Sequence, residues 1–136
     1  MDFEKMLEYR RSSNAFAQKM GICVEEISEG YARVTKTVQE DEINPGGTTH
    51  GGICFTLADI AAGSASTTHG RLSATVNASY QYLGACYAGD TLTAEAREIK
   101  SGRTLCVYEV NIKDQNDKHI GQGTFTFFLK DQKLNF

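Results

Sequence analysis

Asn44, His50, Gly51, Gly52 and Asp59 lie close together in the chain and have the residue types needed for chemistry at a carbonyl. Past Gly51, the residues Ile53, Leu57, Ile60 and Ala61 recur at helical spacing. The start of a helix presents free N–H groups and about half a positive charge. Glycine there lets a ligand come close to the backbone. Such a site binds an anion or polarises a carbonyl as an oxyanion hole does. Gly51 N–H is the natural donor, with His50 beside it. Asp59 carries the only charge between Gly51 and Thr68. A buried carboxylate without partners is costly or stays protonated, so a lone one in an apolar helix reads as a catalytic carboxylate. The plainer reading is a buried structural helix. The small residues Ala61 to Ser66 suit close packing against a sheet or a second helix, but that reading leaves Asp59 unexplained.

The elements that must position these residues follow from the hydrophobic period. Residues 1–20 read as an N-terminal helical segment with a broken apolar stripe, including Phe3, Met6, Leu7, Phe16 and Met20. One of Ser12, Ser13 and Asn14 is placed to restart it as an N-cap. Phe16 suits either core packing or the wall of a pocket. Ile22 to Ser28 and Tyr31 to Gln39 read as hairpin strands about a Glu29-Gly30 turn. A loop from Glu40 to Thr49 leads into the central helix, and Gly70 marks its end. His69 is explained by the helix C-terminus, where a cation is favoured. From Leu72 to Tyr82 the period becomes that of a strand, with Leu72, Ala74, Val76, Ala78, Tyr80 and Tyr82 on an apolar face. Its other face, from Ser73 to Gln81, is polar and uncharged, which suggests an interface or a site. Thr91 to Ile99, Thr104 to Lys113 and Lys118 to Lys130 complete a four-strand meander. The fold class expected is α+β, over one domain spanning residues 1–136.

Composition narrows the function. A net charge of -3 argues against general nucleic-acid binding. No run is apolar and long enough to span a membrane, and the N-terminus is no secretory signal. Cys23, Cys54, Cys86 and Cys106 have no Cys-x-x-Cys spacing and sit among apolar residues. They read as reduced core cysteines of a cytoplasmic protein. No metal is expected, since the three histidines are remote from the thiols in sequence.

The chain resembles hotdog-fold acyl-CoA thioesterases of the phenylacetic-acid-degradation (PaaI-like) type. The matching motifs are Asn44, His50-Gly51-Gly52 and Leu57-Ala58-Asp59, with Ala88-Gly89-Asp90 and Ser101-Gly102-Arg103 further on. Asn14-Ala15-Phe16 and Met20-Gly21-Ile22 also match, so the resemblance runs from about Asn14 to Leu129. It implies a curved antiparallel sheet wrapped around a long central helix. It implies thioester hydrolysis with acyl-CoA as substrate and no separate cofactor. It also implies a homodimer, paired further into a tetramer, in which Asn44, His50 and Gly51 of one subunit face Asp59 of the other.

The helix geometry agrees with a shared site, because Gly51 and Asp59 are separated by roughly 12 Å along one helix. Asp59 would act as general base or as nucleophile, Asn44 would orient water or substrate, and His50 would orient the loop or the carbonyl. Ser73 resembles a family position that assists the water. Coenzyme A phosphates would need a local basic patch on an acidic protein, with Arg103, Lys100 and Arg71 as candidates. Two other classes stand beside this one. A hotdog dehydratase or hydratase would need a second acid–base group matched to the carboxylate. A non-catalytic acyl-CoA-binding module would have no use for Asp59.

Overall fold

A computed structural model describes residues Met1–Phe136. In chain order the elements are α1 (Phe3–Ser13), α2 (Ala15–Lys19), β1 (Cys23–Ser28), β2 (Tyr31–Thr37), α3 (Gly51–Ser66), β3 (Arg71–Tyr82), β4 (Thr91–Ser101), β5 (Leu105–Lys113) and β6 (His119–Lys133). A short 3-10 turn at Glu40–Glu42 precedes α3, and another at Thr67–His69 extends it. Asp2 caps α1 by accepting from Lys5 N–H at 3.1 Å, and Arg10 and Arg11 close its last turn. The N-terminal segment is two helices because Asn14 leaves the helical conformation. Its side chain accepts from Ala17 N–H at 3.0 Å and so starts α2. Gly30, at φ 64°, turns β1 into β2 in a conformation that favours glycine. No helix is long and apolar enough to cross a membrane.

The six strands form one antiparallel sheet in the order β1-β2-β4-β5-β6-β3, wrapped around α3. This is the expected hotdog arrangement. The expected four-strand meander is corrected. Only β4, β5 and β6 run consecutively, while β3 crosses over to pair with β6 at the far edge. In the chain α3 lies between β2 and β3, and both strands border that helix. Leu57, Ala58, Ala61, Ala62 and Ala65 of α3 are completely buried, facing Val34, Ala94, Tyr108, Val110 and Phe125 of the sheet. The alanines let the sheet approach the helix backbone closely on that side.

The alternation expected along β3 also breaks. A β-bulge between Thr75 and Asn77 sets two residues of β3 against Thr126 of β6. Before the bulge, Ser73 and Thr75 bond to α3 residues. After it, Ala78 and Tyr80 pack on the core and Tyr82 covers Gly51. Val76, at the bulge, is 55% exposed and is no core residue.

The two sheet edges differ. β1 carries its own bulge between Val24 and Glu26, lies under α1, and its Val24 carbonyl accepts from Arg11 Nε at 2.7 Å. β3 has no such protection along its outer edge, and it carries only one charged residue, Arg71.

Three side-chain expectations change. Cys23 is exposed, because alternation along β1 points it away from the core that holds Ile22 and Val24. Phe16 is also exposed, on the outer side of the short α2, so it packs into no core. His69 does more than sit at a helix end. Its Nε2 lies 2.6 Å from Glu98 Oε2, which also accepts from the buried Tyr108 hydroxyl at 2.6 Å.

The close seat of β3 on β6 depends on Gly121. A Cβ added there would lie 1.9 Å from the Tyr80 hydroxyl oxygen and 3.1 Å from the Gln81 carbonyl oxygen. Gly121→Ala is therefore expected to lower the unfolding free energy by about 1–3 kcal/mol, the usual cost of overpacking, as measured by urea denaturation.

Candidate active site

The loop before α3 is built by Asn44. Its Oδ1 accepts from Gly46 N–H at 2.9 Å and Thr48 N–H at 3.2 Å, and its Nδ2 donates to Thr48 Oγ1 at 2.8 Å. Its backbone N–H donates to Thr48 O at 2.7 Å, and Ile43 bridges to Thr49. The side chain is thus engaged in closing the loop. The loop delivers His50, whose N–H donates to Glu42 O at 2.8 Å.

His50 is the N-cap of α3. Its Nδ1 accepts from Gly52 N–H at 2.9 Å, so the neutral ring carries its proton on Nε2. With Gly52 capped, the N–H of Gly51 makes no hydrogen bond within the chain and is the free donor of the first turn. The Tyr82 ring lies against it. A Cβ on residue 51 would meet Tyr82 Cε1 at 2.9 Å, and the Tyr82 hydroxyl donates to Gly51 O at 3.3 Å.

Asp59 is on the flank of α3 that faces β3. It is half-buried and not sealed in apolar surroundings as its sequence context suggests, because the sheet ends at β3 beside it. Its Oδ1 accepts from Thr75 Oγ1 at 2.7 Å. Arg10 reaches over from α1, with Nε donating to Ser64 Oγ at 3.2 Å and Nη2 against Gly63. Burial pulls the Arg10 pKa below its ordinary value, opposed by neighbouring Tyr9 and the Asp59 carboxylate, and an arginine there remains a cation.

Thr75 and Arg10 were not singled out from the sequence. Thr75 had a legible signal, two positions beyond Ser73 on the same strand face. Arg10 had none beyond its place in the last turn of α1. Ser73 makes its contact one step away, with its Oγ 2.8 Å from Ser66 Oγ, and lines a small cavity together with Arg10 and Gly63.

The chain therefore holds two separate groups of candidate residues. Asn44, His50, Gly51 and Tyr82 gather at the start of α3. Asp59, Thr75 and Arg10 gather about two turns later, roughly 12 Å along the same helix. A cleft of about 730 Å³ opens beside His50, between Gly52, Ile53 and Thr56 of α3 and Lys19, Met20, Thr37 and Ile43 opposite, and Asn44, Gly51 and Tyr82 do not line it. Its floor includes a buried ion pair, Lys36 Nζ to Glu42 Oε2 at 2.9 Å, and Lys36 also donates to Met20 O.

The basic candidates lie at the other end of α3. Arg71, opening β3, donates to the Arg103 carbonyl in the β4–β5 turn, and Lys100 is exposed beside that turn. The fold also brings His69, Glu98 and Cys106 together, their ligand atoms within 4.8 Å of one another, which sequence distance did not suggest. The bonds among His69, Glu98 and Tyr108 already satisfy that carboxylate oxygen.

Residues 46–120 match the thioesterase superfamily. The acyl-coenzyme A thioesterase PaaI of Escherichia coli K12 is 34% identical over 108 residues, covering 79% of this chain and 77% of that protein. The structure of E. coli PaaI superposes with a TM-score of 0.91 at 27% identity, over 98% of this chain and 100% of that one. A hypothetical thioesterase of Streptococcus pneumoniae, solved with coenzyme A, superposes with a TM-score of 0.79 at 33% identity, over 83% of this chain and 91% of that one. With a free N–H at the helix start, a hydrogen-bonded carboxylate along the same helix, and these relatives, the chain belongs to the thioesterase superfamily and is a hotdog thioester hydrolase of the PaaI-like type.

Proposed function

We propose that the protein hydrolyses acyl-CoA to a carboxylic acid and free coenzyme A at a site shared between two subunits. The observation that carries this reading is the open flank of α3. The free Gly51 N–H, the Asp59–Thr75 contact and the unpaired edge of β3 all lie on it. A second copy pairing along β3, with its central helix antiparallel, would bring its Asp59 toward this chain's Gly51. Val76, Tyr82 and Leu83 are each more than half exposed along or just past β3, which favours such a contact. The relatives give further support, because E. coli PaaI is an acyl-CoA thioesterase and the streptococcal thioesterase was solved with coenzyme A. Two solved variants of that streptococcal protein replace an aspartate and a threonine that are 16 positions apart, the spacing of Asp59 and Thr75.

In the proposed reaction the thioester carbonyl accepts a hydrogen bond from Gly51 N–H, reinforced by the helix dipole. The partner's Asp59 takes a proton from water, which attacks the carbonyl carbon. The Thr75 hydroxyl holds Oδ1 and leaves Oδ2 free for that proton. The tetrahedral intermediate collapses with cleavage of the C–S bond, and the proton on Asp59 passes to the departing thiolate. His50 presents Nε2–H beside the carbonyl, and Asn44 acts through the loop it closes. Arg71, Lys100 and Arg103 hold coenzyme A phosphates. The exposed Phe128, Leu105 and Ile99 on the outer sheet face favour pairing of dimers into a tetramer. A dehydratase would need a second titratable group matched to the carboxylate, whereas the side chain bonded to Asp59 is a threonine.

Three measurements test this. Asp59→Asn should keep the fold and lower kcat by about 10²-fold or more, with Thr75→Ala showing a smaller loss, when free thiol release from an acyl-CoA panel is followed. Turnover like that of the unaltered protein in folded Asp59→Asn would sink the general-base role. Arg103→Ala should raise KM for acyl-CoA more than for a short thioester lacking the nucleotide, and equal effects on both would remove Arg103 from phosphate binding. Finally, inactive Asp59→Asn and Gly51→Pro chains, co-refolded in equal amounts, should regain activity in about a quarter of sites, since each mixed dimer keeps one intact site. No recovery despite proven subunit exchange would place the whole site within one chain.

A further inference from the structure

Cys54 and Cys86 come from positions 32 residues apart, yet their sulfurs lie 3.8 Å from each other. Cys54 is in the first turn of α3. Cys86 is in the connection between β3 and β4. Both thiols are buried, although the neighbours Ala85 and Tyr87 are exposed. The loop is fastened by a few bonds, among them Thr49 N–H to Cys86 O at 2.8 Å, Gly84 N–H to Ile120 O at 3.1 Å and Lys118 Nζ to Ala85 O at 2.7 Å.

The surroundings distinguish the two sulfurs. Contact with the Cys54 sulfur, the Thr49 hydroxyl beside the same sulfur and the Lys118 ammonium bring the Cys86 pKa below its ordinary value despite burial and the opposing Asp90 charge. The Thr49 hydroxyl is itself buried and makes no hydrogen bond of ordinary geometry, so it is available to donate to a thiolate. The same contact with Cys86, together with burial, keeps the proton on Cys54. The other two cysteines lack this arrangement. Cys23 is exposed, but burial of its sulfur and its hydrogen bond with Glu25 raise its pKa. Burial raises the Cys106 thiol as well, and no second sulfur is in reach. A thiolate-forming cysteine beside a protonated one is the arrangement that reacts with oxidants and then resolves.

We propose that Cys54 and Cys86 are a reactive dithiol that peroxide converts to an intramolecular disulfide. The Cys86 thiolate attacks one oxygen of hydrogen peroxide, giving a sulfenic acid at Cys86 and releasing hydroxide. The Cys54 sulfur then attacks the Cys86 sulfur, the S–O bond breaks, and water leaves with the Cys54 proton. The balance is two thiols and one peroxide to one disulfide and two waters. The sulfurs must close from 3.8 Å to about 2.05 Å, which side-chain rotation and a small shift of the exposed loop can supply. The crosslink would clamp this loop to the helix turn that follows Gly51.

The test uses the folded full-length chain bearing Cys23→Ser, which removes the exposed thiol. After treatment with hydrogen peroxide, intact mass should fall by two hydrogen atoms and the free-thiol count by two. Peptide mapping should recover Cys54 joined to Cys86, and dithiothreitol should reverse the change. Adding Cys54→Ala should abolish the crosslink and slow the oxidation, since Cys86 loses the thiol beside it, and the oxidation that remains should be at Cys86, trapped by a sulfenic-acid reagent. Cys54 and Cys86 that stay alkylatable after treatment, a disulfide mapped elsewhere, or over-oxidised Cys86 with Cys54 free would each overturn the proposal.

Discussion

A helix with one charged side chain in sixteen residues cannot stand in water. Its apolar surface, at about 25 cal/mol per Å², is the main reason for six strands to curve around it. Everything else follows from how far one chain can go in covering it. The sheet closes tightly where Ala61, Ala62 and Ala65 leave room, and it runs out at β3. Asp59 sits where the covering ends. The one carboxylate of the helix and the one unguarded strand edge are therefore a single feature of the fold.

That feature also sets the chemistry. A helix start offers its dipole and one uncapped N–H only at its end, while a carboxylate tolerated along the helix must lie at an open flank. In this chain the two groups lie about two turns apart. In the proposed reading a lone chain keeps Gly51 N–H and Asp59 apart, and a second chain joining at the edge of β3 would bring them together.

Much of this was legible in the sequence because it is local. Glycines at 51, 52 and 70 mark the ends of the helix, and Gly30 marks the hairpin turn. Regular alternation marks β4 and β5. What was not legible depends on distant residues. The partner of β3 is β6, some fifty residues later, and no local signal announces it. Asn44 looked free to bind substrate, but its bonds within the loop appear only once the loop is folded. Thr75 rather than Ser73 meets Asp59 because of the pitch of β3 against α3, which residue types do not encode. Arg10 arrives from another helix altogether.

The bulge at Thr75–Asn77 works as a phase change in β3. One strand otherwise commits all its odd or all its even positions to the helix. With one extra residue inserted, the first half presents the Thr75 hydroxyl to Asp59 and the second half presents Tyr82 to Gly51. The two ends of the strand can thereby diverge separately, one altering the surroundings of the carboxylate and the other the cover over the helix start. Removing a single residue at Val76 would put Thr75, Ala78, Tyr80 and Tyr82 on one face of a regularly alternating strand, so both halves would still address the helix without the bulge.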